Sequence, residues 1–362
     1  MDASVFESEW EQAAARAELA YVNDTDAGIR RRKCGRGFIY VSPTGGRVDC
    51  ASTLDRIKAL AIPPAWTGVW ICADDRGHIQ ATGRDQRERK QYRYHAQWTA
   101  HRDQVKFSNL AAFSQALPKL RDRVEKDLRK RGVGRERVLA SAIHLLDQTF
   151  MRVGNEGYSR DNKSFGLTTL HSRHLDIAGS NLRFSFTGKS GQKWRLKLSD
   201  RRMASVIRAI QELPGQRLFQ YLDEHGDRRV VHSHDINGYI KEAIGPDFTS
   251  KHFRTWGATV SAGISLAQIE LPASKRQQAV ALNQAIDGVA SLLHNTRAVC
   301  RSCYVHPDII QAWMDGDLND QLATLRRRYP RPLKGLDADE TLVRRWLLQH
   351  SGNAMALTQS QE

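Results

Sequence analysis

The chain has 362 residues, enough for about two domains, and its 40% hydrophobic and 26% charged content marks a folded chain, not a disordered one. Lys and Arg outnumber Asp and Glu by 55 to 40, a net charge of +15 that points to a polyanionic partner, nucleic acid or an anionic membrane surface. No apolar run reaches the roughly 18 residues of a bilayer span, the acidic start Met1–Glu9 lacks the order of a signal peptide, and five cysteines suggest no disulfide framework, so a cytosolic protein with no membrane partner is expected.

After a leading helical arm, residues 1 to 105 predict short strands and turns. Gly37–Val41, Trp70–Ala73 and His78–Thr82 are brief β-type runs, punctuated by Pro43-Thr44-Gly45-Gly46, Pro63-Pro64 and Asp75-Arg76-Gly77. From Arg76 through His95 the chain carries six Lys and Arg, Arg76 included, against two acids, with Gln91, Tyr92 and Tyr94 interleaved. Arginines grip phosphates, and Gln and Tyr reach base edges or sugars, so Arg84, Lys90, Gln91, Tyr92 and Tyr94 are candidate DNA contacts. A solvated charged hairpin would carry the same residues.

From about residue 108 the period becomes helical. Leu139, Ile143, Leu146, Phe150 and Val153 recur at helical spacing, with Gly154 as the stop. Arg152 thus stands where a helix ends, able to clamp an oxyanion or simply to complement a helix C-terminus. Two strands follow, Leu182–Phe186 and Lys193–Lys197, turned by Gly188-Lys189-Ser190-Gly191, which puts Lys189 at a hairpin tip. Helical patterns resume over 201–221, 235–244, 250–268 and 275–294. Lys251-His252-Phe253-Arg254 opens one of them, where free backbone N–H groups favour anions. A last amphipathic segment, 341–349, precedes a polar tail over 351–362 that is expected to be disordered. The fold class read from this order is α+β: a small β-rich N-terminal domain over 1–105 and a larger, mainly helical domain over 106–350.

Near the end stands His294-Asn295-Thr296-Arg297-Ala298-Val299-Cys300-Arg301-Ser302-Cys303-Tyr304. Tyrosine is a weak nucleophile because its phenol ionises near pH 10, and neighbouring cations favour the phenolate. Taken alone, Tyr304 fits equally an ordinary buried aromatic. Cys300-x-x-Cys303 lacks the second ligand pair of a structural zinc site, so no metal is expected. No Gly-x-x-x-x-Gly-Lys-Ser/Thr loop and no carboxylate cluster suited to Mg²⁺ occur, so no nucleotide cofactor is expected either.

The order of these pieces closely resembles the type IB DNA topoisomerases of the bacterial and poxvirus branch. An Arg follows a long helix, a Lys sits on a β-turn, Lys-x-x-Arg opens a helix, and an Asn precedes a Tyr by nine residues. The resemblance covers roughly residues 20 to 310, through Pro63-Pro64-Ala65-Trp66, Gly83-Arg84-Asp85 to Tyr94, Arg152–Glu156, Gly188-Lys189, Lys251–Gly257 and Asn295–Pro307. It implies that Tyr304 attacks a DNA phosphodiester to give a 3′-phosphotyrosine and a 5′-hydroxyl. Arg152 and Arg254 would hold the non-bridging oxygens, Lys189 would protonate the leaving oxygen, and Lys251 would assist at the phosphate. Asn295 falls where poxvirus members have histidine and bacterial members asparagine, so its task is hydrogen bonding, not proton transfer. Cys303 replaces an expected serine and leaves open an effect of thiol oxidation on Tyr304. The implied architecture is a clamp on duplex DNA that needs only a monomer, no metal and no ATP. A tyrosine recombinase shares this logic but has His-x-x-Arg where Lys251 and Arg254 stand; a basic DNA-binding protein without activity is the remaining alternative.

Overall fold

The computed structural model describes residues 3–359 except Arg87. The chain forms two compact units, residues 1–106 and 107–362.

In the first unit five antiparallel strands form one sheet. Gly28–Cys34 pairs with Gly37–Val41 on one side and with Thr67–Cys72 on the other; Ile79–Arg84 and Lys90–Tyr94 follow, leaving Lys90–Tyr94 at an edge. The sheet packs Ile29, Val69, Ile71 and Ala81 against Ile57 of the Ala51–Ala59 helix, an element the strand-and-turn reading does not anticipate. Arg31 explains the Pro63-Pro64 corner. Its guanidinium donates to the carbonyls of Pro63 at 3.1 Å and Trp66 at 2.6 Å and lies over the Phe38 ring, tying the turn to the sheet.

The second unit is mainly helical. A helix from Ala96 contains the division between units and runs to Leu128, through Pro118; it starts a dozen residues before the helical period does. The Arg135–Thr149 helix buries Val138, Leu139, Ile143, Leu145 and Leu146. A three-stranded sheet, Leu175–Ala178, Asn181–Thr187 and Lys193–Ser199, then interrupts the helices. The expected helix over 201–221 is a correction: it ends at Gln211, and Gln220–Leu222 pairs instead with Arg228–Val230. Pro214-Gly215 stops it, and Gln220 Nε2 donates to the carbonyls of Leu213 and Pro214 in the turn that follows. Helices Ser233–Ile244, Lys251–Leu266, Lys275–Leu293, Arg297–Cys303, Pro307–Met314 and Leu318–Arg328 follow. The last helix runs Ala338–Gln359. Residues 351–359, read from their polarity as a disordered tail, are therefore helical, and 360–362 lie outside the described residues.

A buried ionic knot joins four of these helices. Arg121 donates to Asp147 at 2.7 Å and to Glu340 at 2.7 Å, and Glu340 also accepts from Trp256 Nε1 at 2.9 Å. Burial raises the Glu340 carboxyl, but Arg121 outweighs it and the value lies below the usual one. Its folded value being depressed, the stabilisation is present above the ordinary value of 4.5 and is lost as pH falls through the folded one. Glu340→Ala strands a buried guanidinium beside a single carboxylate and is expected to cost about 3 kcal/mol. Thermal unfolding at neutral pH should fall by roughly 6–12 °C; a melting temperature equal to wild type contradicts the assignment.

Candidate active site

Three side chains from three separate segments, Arg152, Arg254 and Asn295, gather at Tyr304. Arg152 arrives on the short extended stretch after the Arg135–Thr149 helix. That helix closes on Phe150 in the left-handed conformation, φ 52°, and Gly154, at φ 104°, turns the chain again. The Arg152 backbone is held by Leu167 N–H donating to its carbonyl at 2.8 Å, and Gly166 has no Cβ where one would lie 2.7 Å from that oxygen. Asn295 follows the left-handed His294 that ends the Lys275–Leu293 helix. Tyr304 caps the Arg297–Cys303 helix, its carbonyl accepting from Thr259 Oγ1 at 3.2 Å. Thr259 is fully buried and also accepts from His306 N–H at 3.1 Å, so one hydroxyl fixes the chain on both sides of Val305.

Arg152 bridges the other two. Its Nη1 donates to the Tyr304 phenol oxygen at 3.1 Å and its Nη2 to Asn295 Oδ1 at 2.6 Å. A guanidinium has no acceptor, so the amide must present its oxygen to Arg152 and turn its NH₂ the other way. Arg254 is only 3% exposed. It donates to the carbonyls of Phe150 and of Leu293, at 2.9 Å for the latter, so one guanidinium anchors the backbone two residues before both Arg152 and Asn295. Its Cζ lies 5.1 Å from the centre of the Tyr304 ring. Gly257, one helical turn on, admits the Phe150 ring where any Cβ would collide.

Two consequences follow. Burial raises the Tyr304 phenol, and Arg254 and Arg152 together outweigh it, leaving the value below the ordinary 10.0. Arg254 Nε and Asn295 Nδ2 are buried and lack a hydrogen-bond partner among the described residues. Buried donors are normally paired, and these two, one on the second guanidinium and one on the amide that Arg152 holds, are donors of the kind an anion with several oxygens takes up.

The two lysines stand outside this group. Lys189 is exposed on a single 3₁₀ turn at the hairpin tip, as its glycine-rich surroundings predict. Lys251 is exposed at the first position of the Lys251–Leu266 helix while Arg254, one turn on, is buried.

In the first unit the expected DNA contacts divide by strand alternation. Lys90, Tyr92 and Tyr94 share the exposed face of the edge strand, with the tyrosine rings stacked 5.8 Å apart and 41% and 39% exposed. Lys90 is paired with Asp24 at 2.7 Å. Gln91 points to the other face and donates to Asp85 at 2.9 Å, and Arg84 donates to the Glu88 carbonyl at 2.8 Å. Arg102, which the sequence pattern did not single out, lies 5.9 Å from the Tyr94 ring centre.

Comparison with known proteins points the same way. A family model described as the catalytic core of eukaryotic DNA topoisomerase I matches residues 91–328, and one described as the N-terminal domain of bacterial DNA topoisomerase IB matches residues 37–85. DNA topoisomerase 1B of Acanthamoeba polyphaga mimivirus is 34% identical over 285 residues, 77% of this chain and 85% of the viral one. DNA topoisomerase 1B of vaccinia virus (strain Copenhagen) is 20% identical over 241 residues, 66% of this chain and 73% of its own. Arabidopsis thaliana DNA topoisomerase 1 alpha is 23% identical over 239 residues, 64% of this chain and 25% of the plant protein. With two thirds of its length matched by the catalytic-core family and an N-terminal match to the bacterial branch, the chain belongs to the type IB DNA topoisomerases, a family of isomerases.

Proposed function

We propose that this protein relaxes supercoiled DNA by cutting and resealing one strand through Tyr304. The phenol oxygen attacks a phosphodiester phosphorus, the Tyr304 Oη–P bond forms, and the P–O5′ bond breaks. The phenolic proton leaves to water, and Lys189 delivers a proton to the departing 5′ oxygen. Arg152, Arg254 and Asn295 hold the non-bridging oxygens as charge builds on them. Lys251 assists at the same phosphate. The product, a 3′-phosphotyrosine, keeps the energy of the broken bond, so the 5′-hydroxyl reseals the strand without ATP. In between, the free end rotates about the intact strand and releases supercoils of either sign.

The observation that carries this reading is the Arg152 bridge. One guanidinium touches the nucleophilic oxygen and an amide whose own donor is unused, beneath a second buried guanidinium. All the positive charge drawn on is supplied by side chains. Contacts from Lys90, Tyr92 and Tyr94, with Arg84 and Gln91 rearranging from their present partners, belong to the same proposal. So does the reading of the two units as a monomeric clamp on the duplex.

The test is relaxation of supercoiled plasmid in EDTA without ATP. Relaxation is expected, with binding that weakens steeply with salt because phosphate contacts dominate. Binding without relaxation would overturn the proposal, and joining between paired sites would favour a recombinase.

A further inference from the structure

The Lys189 turn and the Asn295 segment are fastened together by one pair of rings. Trp194, on the second strand of the Lys189 hairpin, is 3% exposed and stacks on His294 with centroids 4.1 Å apart and planes 28° from parallel. Its ring also stacks on Phe186 at 5.6 Å. Gly188 makes the fit possible, since a Cβ there would lie 2.7 Å from Trp194 Nε1. Lys189 follows Gly188 directly, and Asn295 follows His294. His294 itself is in the left-handed conformation, φ 47°.

We infer that the Trp194–His294 stack is the latch that holds the Lys189 turn at the reacting phosphate, and that His294 is a positioning residue for the proton donor. The inference rests on the proposed role of Lys189. The imidazole suits a latch and not a proton carrier. Burial and then Arg254 both lower its pKa, so near neutral pH it is an uncharged ring that adds no cation beside Arg152 and Arg254. What it supplies is a flat face at one end of the hairpin, and misplacing a reacting group by about 1 Å costs about 10²-fold in rate.

A substrate with sulfur at the bridging 5′ position isolates this role. A thiol ionises near pH 8.5, so the P–S bond breaks to leave a thiolate with little need of a proton, and a defect confined to proton delivery disappears. His294→Asn removes the ring while Asn tolerates the left-handed backbone; His294→Phe keeps a ring at the cost of backbone strain. His294→Asn is expected to slow single-turnover cleavage of ordinary DNA about 10²-fold at unchanged DNA affinity, and to regain near-wild-type speed on the sulfur substrate. Recovery there also reports a folded protein. His294→Phe is expected to rescue most of the loss on ordinary DNA. Lys189→Ala, measured alongside, separates the two layers. Failure of sulfur to restore Lys189→Ala sinks the general-acid role on which the latch depends. A restored Lys189→Ala beside an unrestored or unimpaired His294→Asn, or a Phe variant as slow as the Asn variant, overturns the latch alone.

Discussion

Tyr304→Phe is expected to bind duplex DNA as the wild type does and to yield no covalent complex at any time of incubation. The substitution removes one oxygen. The ring that lies under Arg254 stays, as does the backbone anchoring through Thr259. The loss is therefore chemical: without Oη there is nothing to form the bond to phosphorus, and Arg152 Nη1 is freed. Denaturing electrophoresis of end-labelled DNA after incubation reads the covalent product, and a binding titration in parallel reads affinity. A retained covalent complex in the Phe variant would assign the nucleophile elsewhere.

Arg254→Ala is expected to reduce cleavage by about 10³-fold or more, beyond the 10²- to 10³-fold loss of one oxyanion donor. The reason is that Arg254 does three things at once. It anchors the carbonyls of Phe150 and Leu293, from which the Arg152 and Asn295 segments start. Its buried Nε has no hydrogen-bond partner among the described residues, and the proposed oxyanion contact draws on it. It is also the first of the influences that hold the Tyr304 phenol down against burial. With Arg254 gone, burial pushes the phenol up, so residual cleavage should move its pH dependence to higher pH. Arg254→Lys should recover little, because one ammonium cannot reproduce a fork that serves two backbone carbonyls at once. Single-turnover cleavage against pH measures both effects. An Arg254→Lys variant near wild type, or an unshifted profile in Arg254→Ala, would count against this account.

Much of the site is legible in the sequence because its members lie at punctuation marks. Arg152 follows a periodic apolar run and precedes a glycine, and Arg254 follows a helix start. The nine-residue spacing from Asn295 to Tyr304 spans one short helix and its caps. What the sequence conceals is pairing between distant segments. Nothing near Glu340 announces that it closes a knot with Arg121 and Trp256. Nor does anything near His294 announce that its ring stacks on Trp194, a hundred residues earlier in the chain. Gln91 and Tyr92 read as one cluster, but strand alternation sends them to opposite faces. The helical reading of 212–221 gives weight to period and too little to Pro214-Gly215, where tertiary pairing takes over.

The most direct measurement is the chemical identity of the trapped adduct. Wild-type protein incubated with an end-labelled duplex, denatured and digested with protease, should give a peptide containing Tyr304 joined to the 3′ phosphate of the cut strand, with a free 5′-hydroxyl on the other fragment. A peptide joined through another residue, or an adduct on the 5′ side of the break, would contradict the account.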